Sequence, residues 1–160
     1  MKSLYLPNEE LLPVFIDLLH KNATGTLPLR GRSMRPFLED GRDKALLALP
    51  RGNERVGDAV LAEVSPGHYV LHRIVGIGPG GITLRGDGNL HDEHCQRGDI
   101  RAVALGFYRK GRTRPDSTSG LKWRAYSWLW MRLFPLRRYL LFALHPHIPH
   151  FLTKRKNSTE

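Results

Sequence analysis

The stretch HYVLHRIVGIGPGGITLRG, residues 68–86, decides the fold. Two apolar runs, HYVLHRIVGI (68–77) and GITLRG (81–86), flank the short segment GPGG (78–81). Gly-Pro and Gly-Gly pairs are typical of tight turns, because glycine reaches backbone conformations that other residues avoid. An apolar run, a turn and a second apolar run predict a β-hairpin of two antiparallel strands.

The same pattern of apolar runs separated by turn residues extends from about residue 27 to residue 110. Short apolar runs alternate there with Gly, Pro, Asn and Asp; the further runs are ALLAL (45–49), AVLAEV (59–64) and DIRAVALGFY (99–108). This spacing of strands and turn residues predicts one antiparallel β domain over residues 27–110. The expected fold class is therefore mainly β, with a helix before the domain and a basic amphipathic helical segment after it.

The N-terminal part, residues 1–26, is expected to hold one helix over residues 8–21. Asn8 is a suitable cap, and acidic residues follow it at the positive end of the helix dipole. Apolar side chains recur at helical spacing and form one stripe. This stripe consists of Leu12, Phe15, Ile16 and Leu19.

The C-terminal part divides into a linker at 111–120, an amphipathic helical tail at 121–152 and a terminus at 153–160 that we expect to be disordered. Pro135 is expected to split the tail into two helices. All three Trp lie in this tail, beside several Arg, which is typical of a helix at a membrane interface. The alternative is a helix that packs on the β domain or on a protein partner through the same aromatic residues.

Charge is concentrated in the same region. The chain carries a net charge of +10, and residues 121–160 hold eight Lys or Arg and a single acid. A basic tail attracts phosphate groups. We expect the partner to be a membrane surface and not a nucleic acid, because the residues before the β domain hold only one helical stripe, too little for a helix-turn-helix.

The sequence indicates a cytoplasmic chain. It shows no secretory signal and no run of about 18 apolar residues that would cross a membrane. Its one cysteine, Cys95, excludes an intrachain disulfide. We therefore expect a cytoplasmic protein held at the cytoplasmic face of the inner membrane.

The segment GRSMRPFLEDG, residues 31–41, contains a candidate nucleophile, Ser33. A serine hydroxyl becomes reactive only when a nearby base takes its proton. His72 is the candidate base, because strand alternation puts it on one face with apolar neighbours that would shield a neutral imidazole. The simpler alternatives are a turn serine and a structural histidine that bonds to the backbone.

A third segment, RGDGNLHDEHC (85–95), supplies acids that could orient the histidine. Asp92 is taken as the third catalytic residue, and Glu93 and Asp87 remain open as alternatives. Taken alone, the segment is also consistent with a polar turn without catalytic function.

The order of these segments resembles the serine peptidases of the signal peptidase and LexA-like superfamily. The resemblance covers residues 27–108 and rests on GRSMRPFLEDGRD (31–43), VGDAV (56–60), VLHRIVGI (70–77), ITLRGDGNLHDE (82–93) and IRAVALGFY (100–108). It implies the antiparallel β-sheets of that peptidase type, with Ser33 as nucleophile. Where bacterial relatives carry a lysine base, this chain has His72, which is similar to the histidine-type signal peptidases.

The resemblance implies a serine endopeptidase that processes a precursor protein or peptide with Ser33, His72 and Asp92, without a cofactor or a metal. Gly31, Met34 and Pro36 are the expected substrate-binding residues. The chain departs from the family where Arg42 separates Gly41 from Asp43 and where Gly88 replaces an asparagine.

Three alternatives remain open. One is a LexA-like regulator that cleaves itself or switches transcription, and another is an inactive peptide-binding module of the same fold. The third is a metal site in HDEHC (91–95) or HPHIPH (145–150), although neither segment has a recognised zinc spacing.

Overall fold

The computed structural model describes residues 8–144. The helices are α1 (Asn8–Lys21), α2 (Leu121–Arg132) and α3 (Arg137–Leu144). The strands are β1 (Thr24–Pro28), β2 (Lys44–Ala48), β3 (Ala59–Ser65), β4 (His68–Gly78), β5 (Gly81–Arg85), β6 (Glu93–Cys95), β7 (Ile100–Tyr108) and β8 (Asp116–Ser117). Short 3-10 turns occur at Arg97–Asp99 and Phe134–Leu136.

The strands form one antiparallel sheet in the order β1-β2-β7-β3-β4-β5-β6, and β8 pairs with β7. The prediction of a mainly β, antiparallel fold with helices before and after the sheet is therefore confirmed. Gly78 lies opposite Gly81 at the end of the β4–β5 hairpin, where the GPGG turn was expected.

Three strands lie outside the predicted apolar runs. β1 has the sequence TGTLP, with one large apolar residue beside Gly and Pro, and β6 is only three residues long. β8 lies within residues 111–120, the expected linker, and holds this segment on the sheet through β7. These strands form because neighbouring strands offer free backbone groups, which sequence patterns do not report.

Helix α1 packs on one face of the sheet. Leu12, Phe15 and Leu19 are buried in the larger core cluster, as the stripe predicted. A methyl group on Gly25 would lie 2.9 Å from the Phe15 ring, so the first strand approaches the helix as closely as glycine allows.

Helix α2 covers the same core with an aromatic cluster. Trp123 contacts Phe37 and Phe107 with ring centroids 5.0 Å apart in both pairs. Pro135 lies in the turn between α2 and α3. Within residues 8–144, no helix is long and apolar enough to cross a membrane. Residues 145–160, which include HPHIPH and the expected disordered end, lie outside the described part.

Candidate active site

Ser33 lies in the loop between β1 and β2, which backbone hydrogen bonds close at its base. The N–H of Gly41 donates to the Leu29 carbonyl at 3.0 Å, and the N–H of Leu29 donates to the Asp43 carbonyl at 3.0 Å. The next residue after the serine, Met34, is buried in the larger core cluster. The loop is thus anchored at both ends and in the middle, which fixes the path of the backbone at Ser33.

Arg42 stabilises the end of this loop. Its guanidinium binds the Asp43 carboxylate through two contacts of 2.8 Å. The carboxylate also accepts hydrogen bonds from the N–H groups of Glu39 (2.9 Å) and Lys110 (3.0 Å). Burial alone would raise the pKa of Asp43, but these donors outweigh burial and lower it. Arg42, between Gly41 and Asp43, therefore leaves Asp43 charged and its hydrogen bonds to the loop intact.

His72 is buried in β4 and is 3% exposed. Its Nδ1 lies 2.5 Å from Oε2 of Glu93 at the start of β6. Burial lowers the pKa of His72 below its ordinary value of 6.5, and the nearby Glu93 and Asp87 carboxylates oppose this only in part. The imidazole is therefore neutral near pH 7, which is the form required of a general base.

The carboxylate beside His72 belongs to Glu93 and not to Asp92, the third catalytic residue expected from the sequence. Asp92 instead forms a two-contact ion pair with Arg85, with one Nη2–Oδ2 distance of 2.7 Å. Adjacent residues of an extended segment point to opposite sides, so only one of the two acids can reach the histidine. Three-residue β6 pairs with β5 and sets Glu93 opposite Leu84.

The loop that contains Gly86 and Gly88 lies against both the Ser33 backbone and His72 Nε2. A methyl group on Gly86 would lie 2.4 Å from the Ser33 carbonyl oxygen and 3.0 Å from His72 Nε2. The N–H of Gly88 donates to the Ser33 carbonyl at 2.7 Å. The Ser33 carbonyl and His72 Nε2 thus both lie next to Gly86. The space at this position is too small for any residue other than glycine.

A cavity of about 110 Å³ lies between the Ser33 loop and the first half of β4. Its walls include Gly31, Ser33 and Met34 from the loop and residues 69–72 from the strand. Of the expected substrate-binding residues, Gly31 and Met34 therefore line the cavity, while Pro36 is half-buried and lies outside its lining. The nucleophile and base candidates share one accessible space.

The first half of β4 has one edge without a neighbouring strand among residues 8–144. β3 pairs with β4 from His68 onward, whereas β5 pairs with it only from Arg73 onward. Residues 68–72 therefore keep free backbone donors and acceptors beside the cavity. Such an edge binds an extended peptide as an added strand.

A buried ion pair that the sequence interpretation missed supports the site. Arg73 is fully buried, and its guanidinium contacts the Asp87 carboxylate at 2.8 and 2.7 Å. Burial would lower the pKa of Arg73, but the charge of Asp87 and its hydrogen bonds outweigh burial and raise it. An arginine inside an apolar strand needs a carboxylate partner, so Arg73 within VLHRIV was a signal in the sequence for a buried acid, although not for Asp87 in particular.

Helix α2 completes the surroundings of this ion pair. The hydroxyl of Tyr126 donates to Oδ2 of Asp87 at 3.1 Å, and the indole Nε1 of Trp130 donates to the Asp87 carbonyl at 3.0 Å. The Arg73 guanidinium also donates to Ser127 Oγ and lies 4.4 Å from the centre of the Trp123 ring. The C-terminal segment thus fixes the loop that in turn holds Ser33.

The metal alternative finds no cluster in the described residues. No three His, Cys, Asp or Glu side chains between residues 8 and 144 are placed to share an ion. Within HDEHC, Asp92 binds Arg85, Glu93 binds His72, and His94 contacts Thr83.

Comparisons with protein-family models, curated proteins and solved structures found no match to the chain.

Proposed function

We propose that this protein is a serine endopeptidase of the signal peptidase and LexA-like type that processes a precursor protein or peptide. Ser33 is the nucleophile, His72 the general base, and Glu93 the acid that orients the imidazole. The observation that carries the proposal is the contact between Glu93 and His72 Nδ1, which leaves Nε2 beside the Ser33 loop.

The mechanism follows from the protonation state of His72. Nε2 of the neutral imidazole takes the hydroxyl proton as Ser33 Oγ attacks the peptide carbonyl. The resulting imidazolium is stabilised by Glu93 and gives its proton to the leaving amine. Water then attacks the acyl ester, with His72 again as base, and Ser33 is regenerated. The Ser33 N–H is the proposed donor to the oxyanion.

Substrate binding is proposed at the free edge of β4. An extended segment of the precursor pairs with residues 68–72 and crosses the cavity at Ser33. Because the cavity is only about 110 Å³, it accommodates small side chains beside the scissile bond. Backbone pairing gives affinity, and the cavity gives selectivity.

The test is cleavage of a peptide library with small residues at the cut, followed by mass spectrometry. The intact chain is compared with Ser33→Ala and His72→Gln, and with the matched controls Ser65→Ala and His20→Gln at exposed positions outside the proposed site. Cleavage that is lost in the first pair and kept in the second supports the proposal. Equal cleavage by all five proteins, or none by the intact chain, refutes it.

A further inference from the structure

Exposed apolar side chains are concentrated in the C-terminal helices. Among residues 8–144, twelve large hydrophobic side chains are exposed, and six of them fall between residues 121 and 142. We call these six the outer face. They are Leu121, Trp128, Leu129, Leu136, Tyr139 and Phe142. The outer face contains every exposed Trp, Tyr or Phe among the large hydrophobic residues of the described part.

The outer face is distinct from the side of α2 that packs on the sheet. Trp123, Ser127 and Trp130 are buried and contact the core or the Arg73–Asp87 pair. Leu121 and Trp128 point the other way, because they lie about half a turn from these residues at 100° per residue. Their exposed fractions are 83% and 57%. The packing of α2 therefore leaves a second apolar surface uncovered by residues 8–144.

Cations surround the outer face, and acids are absent from its sequence. Lys122, Arg124, Arg132 and Arg138 are all exposed. The guanidinium of Arg132 lies 5.1 Å from the ring centre of Trp128, a member of the outer face. No Asp or Glu occurs between Asp116 and Glu160. A nearby cavity is lined by three further cations, Arg42, Lys44 and Arg112. It lies close to α2, because Arg112 and Lys122 both contact Asp116.

We infer that the outer face is a docking surface for an anionic lipid bilayer. Aromatic rings and leucines enter the boundary between headgroups and acyl chains, while the flanking Lys and Arg pair with lipid phosphates. The charge favours a bilayer over a groove on a protein, because the cations are distributed along both helices and, among the described residues, only Lys122 of the four pairs with an acid, Asp116. The outer face lies flat on the surface and does not cross it.

This inference is independent of the proposed peptidase chemistry. None of the outer-face residues contacts Ser33, His72 or Glu93 in the hydrogen bonds and ion pairs of the site described above. The Ser33→Ala protein must therefore bind vesicles as the intact chain does. Loss of peptidase activity and loss of vesicle binding are then separate results.

The test uses Trp128 as the reporter of binding. It is the exposed one of the three Trp, since Trp123 and Trp130 are already buried. Vesicles of phosphatidylcholine with phosphatidylglycerol are added to the full chain, and tryptophan emission and co-sedimentation are recorded. Vesicles of phosphatidylcholine alone and a series of salt concentrations complete the comparison.

We expect a blue shift and co-sedimentation with the anionic vesicles, weakened by salt. Trp128→Phe should keep co-sedimentation and lose the shift. The combined change of Leu121, Leu129 and Phe142 to Gln should weaken partitioning by at least about tenfold, since each removes apolar contact with the lipid. The control, Val14→Gln with Leu18→Gln, removes exposed apolar groups from α1, outside the outer face, and should bind normally.

Three results overturn the inference. The first is an unchanged emission of Trp128 with no co-sedimentation. The second is equal vesicle binding by the outer-face variant and the α1 control. The third is a blue shift that depends on protein concentration without lipid, which assigns the outer face to contacts between copies of the chain. Circular dichroism of each variant shows that the fold is retained.

Discussion

His72 and Glu93 are 21 positions apart, yet Nδ1 of the histidine lies 2.5 Å from Oε2 of the glutamate. The two residues belong to β4 and β6, and β5 lies between these strands in the sheet. The contact therefore depends on the pairing of three strands. It fixes the imidazole so that Nε2 is directed away from the acid and toward the Ser33 loop.

Glu93→Gln tests the role of this contact. The amide keeps the size of the side chain but removes the charge that stabilises the imidazolium. We expect kcat to fall on the order of 10²–10⁴-fold, the range of general acid–base effects. The measurement is steady-state cleavage of a peptide identified in the library assay.

The pH dependence of activity should also change in Glu93→Gln, in a direction that the contact with His72 determines. Activity requires neutral His72, so it is lost as pH falls through the histidine pKa, which burial places below 6.5. Glu93 raises this pKa, and its removal should move the acid limb of kcat/KM to lower pH. Asp92→Asn, at the neighbouring acid paired with Arg85, is the control and should leave the limb in place. If the acid limb moves in Asp92→Asn and not in Glu93→Gln, Asp92 and not Glu93 is the catalytic acid.

Asp87→Asn should lower the free energy of unfolding by about 3–5 kcal/mol, because it leaves a buried guanidinium at Arg73 without a charged partner. Chemical unfolding followed by circular dichroism measures the change. The control is Glu63→Gln, which removes a partly exposed ion pair with Arg101 and should cost about 0–1 kcal/mol. Equal losses of unfolding free energy in both variants would show that the buried Arg73–Asp87 pair contributes no more to stability than the partly exposed pair.

Two tryptophans of one helix should behave differently. Trp123 is 3% exposed, and Trp123→Ala should cost about 3–5 kcal/mol of unfolding free energy through lost core contacts. Trp128 is 57% exposed, and Trp128→Ala should change stability by about 0.5 kcal/mol or less. If both changes cost the same amount, α2 does not pack as described.

Gly86→Ala should lower kcat/KM even under conditions in which the variant remains folded. The new methyl group would lie 2.4 Å from the Ser33 carbonyl, so the serine loop has to move relative to His72. Gly80→Ala is the control, since nothing lies within 4 Å of a methyl group there. The comparison is the ratio of kcat/KM for the two variants at a temperature where both are folded. Full activity of Gly86→Ala would contradict the described approach of the two segments.

The regular elements could be predicted because their signals are local. Helix α1 has the predicted bounds, and β3, β4, β5 and β7 fall on apolar runs of matching length. The hairpin turn at 78–81 follows from glycine and proline alone. The short strands β1, β6 and β8 could not be predicted, because pairing with neighbours stabilises them and not their own composition.

The sequence indicates Ser33, His72 and the acids of 85–95 as candidates, but it does not indicate which acid meets the histidine. The choice between Asp92 and Glu93 depends on strand register and on the competing Arg85. The sequence also does not decide whether the aromatic tail packs on the domain or lies at an interface. In the structure, Trp123 and Trp130 are buried and Trp128 is exposed. This difference depends on which side of α2 faces the sheet.

The most direct test of the central claim is acylation of the protein by an activated ester of a short peptide that ends in alanine, with acid quenching and peptide mass mapping. The account predicts one acyl adduct on Ser33, absent from Ser33→Ala and formed far more slowly by His72→Gln. An adduct on another residue, an unchanged rate in His72→Gln, or no adduct on the intact chain would contradict the assignment of Ser33 and His72.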